Sequence, residues 1–278
     1  MQRHELLIEA AELAGMIDDP NLRLFDATVL MQSDEGKTAR DHYQAGHLPG
    51  AVFLDHAVLS DADSKLMYMI PNESSLAQAI GGLGIGNDNP VVVYSTDFIA
   101  WATRIWWVLN YAGHRNVRVL NGGIDAWAGE LEAGESTYPN SSFASNLSTG
   151  MMASKEEVLK LIGDGATCIV NTLPEALYKG ESDVFYAGHI TGSVNHPFSE
   201  FMDGNYLLPD DELKQKFAEK MTGERLITYC GGGIAATLNA CAARLAGLED
   251  VAVYDGSMSE WLAEELPITQ GSEPGSLE

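Results

Sequence analysis

A chain of 278 residues is long enough for two domains of ordinary size, each with a core of its own. Its composition, 45% hydrophobic and 20% charged, is that of a globular protein, and it has no run of about eighteen apolar residues, which argues against a membrane role. With 16 basic against 40 acidic residues the formal charge is −24, a field that repels nucleic acid and anionic membranes and leaves any anionic ligand dependent on local positive potential.

Met1 to Pro20 sets Glu5, Glu9, Glu12, Asp18 and Asp19 into an apolar helical pattern, whereas a secretory leader is basic and then apolar, so a cytoplasmic protein is expected. A strand at Leu22-Arg23-Leu24-Phe25-Asp26 leads to the turn Ala45-Gly46-His47-Leu48-Pro49-Gly50-Ala51. A second strand, Pro90-Val91-Val92-Val93-Tyr94, precedes a helix from Trp101 to Ala112 and the turn Asn121-Gly122-Gly123-Ile124-Asp125-Ala126-Trp127. Gly129 to Gly150, rich in Gly, Ser, Asn and Thr, reads as a surface linker.

The programme then recurs about 140 residues further on, too long a period for a solenoid and right for duplicated domains. Thr167-Cys168-Ile169-Val170-Asn171, Ala187-Gly188-His189-Ile190-Thr191-Gly192-Ser193, Arg225-Leu226-Ile227-Thr228-Tyr229 and Asp255-Gly256-Ser257-Met258-Ser259-Glu260-Trp261 repeat the four landmarks. The sequence therefore predicts an α/β protein of two related domains, each a mostly parallel sheet flanked by helices. The expected division is residues 1–130, a linker at 131–150, a second domain at 151–270, and a disordered tail at 271–278.

The cysteines, Cys168, Cys230 and Cys241, are odd in number and lack metal-ligand spacing, so neither a disulfide framework nor a metal site is expected, and no cofactor is called for. Cys168 lies in an apolar run and Cys241 in a small-residue helix, both core positions. Cys230 differs: it ends the strand Leu226 to Tyr229 and heads the loop Cys230-Gly231-Gly232-Gly233-Ile234-Ala235, which opens the helix Ile234 to Leu245. Three glycines can take positive φ, so backbone N–H groups of Gly231, Gly232, Gly233, Ile234 and Ala235 can cradle whatever the sulfur carries. The helix N-terminus adds about half a positive charge at the same place, which favours a thiolate.

Two other readings of this loop are disfavoured. Gly231-Gly232-Gly233-Ile234-Ala235-Ala236 satisfies a dinucleotide fingerprint with Asp255 beyond it, but too few residues follow Ala236 for the sheet that such a fold needs. A phosphate-cradling cysteine loop requires an arginine six positions after the cysteine, where this chain has Ala236.

Taken together, the two Gly-His turns, Arg104-Ile105-Trp106-Trp107, the Asn121-Gly122-Gly123 and Asp255-Gly256-Ser257 turns and the cysteine loop resemble the tandem-domain rhodanese-like sulfurtransferases, the group of thiosulfate and 3-mercaptopyruvate sulfurtransferases. The resemblance implies that the second domain carries the nucleophile while the first, with Tyr94-Ser95-Thr96-Asp97-Phe98 at the equivalent place, is catalytically silent. It also implies a two-step cycle in which Cys230 takes a sulfane sulfur from a small donor and passes it to a thiol or cyanide, or to a protein acceptor.

The chain departs from that family where a donor would bind. Thiosulfate enzymes have Arg and Lys at the positions of Gly231 and Gly232, and mercaptopyruvate enzymes have Gly and Ser there. The latter also use two arginines in the segment that here reads Leu173 to Ser182, where the first aligns with Leu177 and the second is missing. Lys179 is the one cation of that segment and the candidate donor-binding side chain. The missing cations keep a second reading open, a persulfide carrier or sensor that exchanges sulfur with a protein partner. His47 and His189 are expected to hydrogen-bond neighbouring backbone, and His196 to assist an acceptor thiol if its strand end nears the loop; Trp101, Trp106 or Arg104 could contribute a wall of the site from the first domain, with core packing the favoured reading of the tryptophans.

Overall fold

The computed structural model describes residues 1–30, 34, 36–181 and 188–277; Ser182 and Ala187, in segments picked out above, and Glu278 of the tail lie outside them. Strands β1 (Leu7–Ile8), β2 (Arg23–Asp26), β3 (Val52–Phe53), β4 (Val91–Tyr94) and β5 (Val117–Leu120) form a parallel sheet in the order β1-β5-β4-β2-β3. The second half begins with β6 (Met152–Ala153) and β7 (Thr167–Asn171), continues through β8 (His189–Ile190) and β9 (Val194–Asn195), and adds the short hairpin β10 (Met202–Asp203) and β11 (Tyr206–Leu207). It ends with β12 (Arg225–Tyr229), β13 (Val251–Tyr254) and β14 (Ile268–Thr269). Its main sheet, β6-β13-β12-β7-β9, is parallel and repeats the first order strand for strand, while β8 pairs antiparallel with β14. Runs such as Val91-Val92-Val93-Tyr94 are apolar on both faces because helices cover both sides of a parallel sheet, and all four residues are buried.

The duplication extends to side chains. His47 Nδ1 lies 2.8 Å from the Tyr43 carbonyl and the Tyr43 hydroxyl donates to Ala51 O; His189 Nδ1 lies 2.8 Å from the Tyr178 carbonyl and the Tyr178 hydroxyl donates to Ser193 O. Both imidazoles stack on those tyrosines, the backbone role expected of them.

One continuous core joins the two halves. The helices Ala100–Tyr111 and Ala235–Leu245 face each other in it, and Thr103 Oγ1 meets Thr237 Oγ1 at 2.9 Å between them. Ala100 through Asn110 are all buried, as a helix covered on every side must be. Trp106, bonded through Nε1 to Val117 O, belongs to this core. Cys168 and Cys241 are buried in it as well.

Residues 129–148 contain no helix or strand but are strapped to the first domain: Ser141 N donates to Gly81 O, Asn146 N to Ala112 O and Ser148 N to Tyr111 O. The tail, expected to be disordered, also makes contacts through Gly271 N to Lys179 O and Gly192 N to Pro274 O, which hold it on the second domain. No helix among the described residues is long and apolar enough to cross a membrane.

Candidate active site

Strand β12 delivers Cys230 to the carboxyl edge of the second sheet, the edge at which parallel sheets hold ligands. The strand end is fixed by the Tyr229 hydroxyl, which accepts from Ile190 N at 3.0 Å and lies 2.7 Å from Ser193 Oγ. Cys230 is 3% exposed. Its N–H donates to Ser257 Oγ at 3.1 Å and its carbonyl accepts from Met258 N. Gly231 O accepts from both the N–H and the hydroxyl of Ser259, at 2.9 and 2.8 Å. The turn after β13 thus clamps the first two loop residues. The sequence marked this turn only as a duplicated landmark, and nothing in its composition says that serines there support a cysteine.

Of the three glycines only Gly233 is left-handed, with φ 76°. A Cβ on it would come within 2.6 Å of the Asp255 carbonyl oxygen, so the position requires glycine for two reasons. Gly232 is different: a Cβ there would meet only Ser259 Oγ, at 3.9 Å. The N–H groups of Gly231, Gly232, Gly233 and Ile234 have no hydrogen-bond partner among the described residues. Left-handed Gly233 followed by right-handed Ile234 is the backbone alternation that gathers such donors into an anion-binding concavity. The helix starting at Ala235 adds its positive end.

Side-chain cations are arranged less simply. Lys179 pairs with Glu175, Nζ to Oε1 2.7 Å, and that carboxylate raises the lysine's pKa. No hydrogen bond or ion pair joins Lys179 to the loop among the described residues, so a donor anion would have to compete with Glu175 for it. A positive charge does reach the loop from elsewhere. Arg104, on the first domain's buried helix, sends Nη1 to Gly233 O at 3.2 Å and to Asp255 Oδ1 at 2.6 Å. The loop is therefore supported by a side chain as well as by backbone dipoles, although Asp255 balances the charge.

His196, entertained as a helper of an acceptor thiol, is 1% exposed and packs its ring against Phe201 and Phe217. Burial, with Lys220 and Lys216 nearby, lowers its pKa to about 3, so it is neutral at physiological pH. Trp101 is 5% exposed and sits edge-on to His56 and Tyr68, 4.9 and 5.5 Å between ring centroids. Phe98 and Phe198 meet across the domain junction at 4.9 Å.

The rhodanese-like domain model matches this chain twice, at residues 9–130 and 154–264. Thiosulfate sulfurtransferase of Mus musculus is 37% identical over 268 residues, which cover 91% of this chain and 89% of the mouse protein. 3-Mercaptopyruvate sulfurtransferase of Escherichia coli strain K12 is 31% identical over 92% of this chain and 95% of its own length. Among solved structures, that of the Escherichia coli 3-mercaptopyruvate sulfotransferase SseA superposes with a TM-score of 0.83 at 30% identity, over 92% of this chain and 99% of the other. With a duplicated fold, a cysteine loop at the edge of the second sheet and relatives of this closeness along nearly its whole length, the chain belongs to the tandem-domain rhodanese-like sulfurtransferases.

Proposed function

We propose that the protein transfers a sulfane sulfur from a thiosulfate- or 3-mercaptopyruvate-type donor to a thiophilic acceptor through a persulfide on Cys230. The observation that carries this reading is a single cysteine set between a strand and a helix, in a loop whose N–H groups from Gly231 to Ile234 have no partner among the described residues and can bind an anion. With thiosulfate, the Cys230 thiolate attacks the outer sulfur, the sulfur–sulfur bond breaks and sulfite departs with the electron pair. The persulfide anion is held by backbone donors and the helix end. Cyanide or a thiolate then attacks the terminal sulfur and Cys230 leaves as thiolate, so the cycle closes without a redox partner.

Donor binding is the weak half of this cycle, because Gly231 and Gly232 supply no cation and Lys179 is occupied by Glu175. That observation favours a second reading, a carrier loaded by a persulfidated protein rather than by a small anion. Thiocyanate formation from cyanide with either small donor, abolished by Cys230→Ser, is the expected result. Undiminished thiocyanate formation by Cys230→Ser would overturn the assignment.

A further inference from the structure

The two halves of the molecule repeat one strand order but differ where each reaches across to the other. In each half the turn after the last long strand accepts an N–H from the opposite half: Asn121 Oδ1 from Leu207 N at 3.2 Å, and Asp255 Oδ2 from Ile70 N at 2.8 Å. These two acceptors are counterparts in the repeat, but one is a neutral amide and the other a carboxylate. The helices differ in the same way. The fifth residue after Ile99 is Arg104, and the fifth after Ile234 is Asn239. Asn239 keeps its amide within its own half, bonded to His196 O, whereas Arg104 crosses into the other.

The Arg104 guanidinium joins three segments. It donates to Gly233 O in the cysteine loop, to the Asp255 carboxylate and to the carbonyl of Tyr68, itself a left-handed residue at φ 65°. The side chain of Arg104 is 3% exposed and that of Asp255 13%. An ion pair this deeply buried adds little net stability over apolar residues of the same volume, because desolvation offsets the attraction. Its distinctive contribution is geometric: a rigid planar fork fixes several acceptors at once. One of those acceptors belongs to Gly233, whose left-handed turn sets the directions of the loop N–H groups.

We propose that Arg104, from the catalytically silent domain, is a positioning residue for sulfur transfer at Cys230, acting through Gly233 and Asp255. This rests on the persulfide reading above. It gives the first domain a definite task, since among the described residues no side chain of the second domain hydrogen-bonds Gly233 O.

The test uses the full chain with Arg104→Met combined with Asp255→Asn, which avoids stranding a buried carboxylate, and with Arg104→Lys, which retains charge but not the fork. Four quantities are read: the thermal midpoint, kcat and KM for sulfur transfer, and the pH profile of Cys230 alkylation by iodoacetamide located by peptide mass. The double variant is expected to lose about tenfold or more in kcat with KM changed by less than about threefold, and to alkylate with a midpoint shifted to higher pH. Arg104→Lys, folded as the wild type, should recover only part of kcat. A folded double variant with wild-type kcat and alkylation profile overturns the proposal. If the double variant does not fold, Arg104→Lys with wild-type kcat and alkylation profile overturns it in the same way, and reduced kcat with a shifted profile sustains it. Should the wild type itself transfer no sulfur, the persulfide reading fails, while the alkylation profiles still decide whether Arg104 positions the thiol.

Discussion

Ser257 Oγ accepts the backbone N–H of Cys230 at 3.1 Å while donating to Tyr254 O at 2.8 Å, so a buried hydroxyl ties the head of the cysteine loop to the neighbouring strand. Ser257→Ala removes the acceptor and leaves the Cys230 N–H unpaired in a buried place, which costs about 1–3 kcal/mol. The variant should unfold at lower urea and transfer sulfur more slowly. Wild-type stability together with wild-type rate would show that the clamp has no role.

The two inner glycines should behave oppositely. Gly233→Ala forces a Cβ to 2.6 Å from Asp255 O at φ 76°, so the loop must move and kcat should fall by about tenfold or more. Gly232→Ala meets only Ser259 Oγ at 3.9 Å and should retain most of its activity. Steady-state kinetics of the pair checks this, and equal losses in both would refute the loop geometry.

The open space at Gly232 also bears on the donor. Wild-type protein should use thiosulfate and 3-mercaptopyruvate inefficiently, and Gly232→Lys, which adds a cation two residues from Cys230 where a Cβ has room, should lower KM for thiosulfate by about tenfold. An unchanged KM would mean that donor anions bind through backbone alone.

Acid should destabilise the fold through buried neutral imidazoles. Burial is the main force that lowers His56 from its ordinary 6.5 to about 4, with Arg104 adding to it, and the hydrogen bond to Ala27 O opposes the shift only in part. Because the folded value lies below the unfolded one, His56 costs no stability above about pH 6.5 and progressively more as pH falls toward 4, with a limiting slope of about 1.4 kcal/mol per unit. His196, lowered to about 3, acts in the same direction. Urea unfolding at pH 7 and pH 5 should show His56→Gln losing less stability than wild type between the two; parallel losses would contradict the account.

The parallel α/β class, the duplication and the place of Cys230 between a strand and a helix were legible in the sequence because strand runs, Gly-His turns and a cysteine between strand and helix are local patterns, whereas the strand order was not. The supports of the loop were not. Ser257 and Ser259 act on Cys230 and Gly231 through the pairing of β12 with β13, and Arg104, named from the sequence only as a candidate wall residue, acts on Gly233 through the packing of two helices far apart in the chain. Local pattern carries no trace of such contacts. Lys179 shows the converse: its charge is plain in the sequence, and its neutralisation by Glu175 becomes evident only when a short helix sets them one turn apart.

The most direct measurement is the intact mass of the protein after incubation with thiosulfate, 3-mercaptopyruvate or a persulfidated donor protein, with the modified peptide identified. The account predicts a gain of one sulfur atom located on Cys230, removed by cyanide and absent in Cys230→Ser. No gain from any donor, or a gain at Cys168 or Cys241 instead, would contradict it.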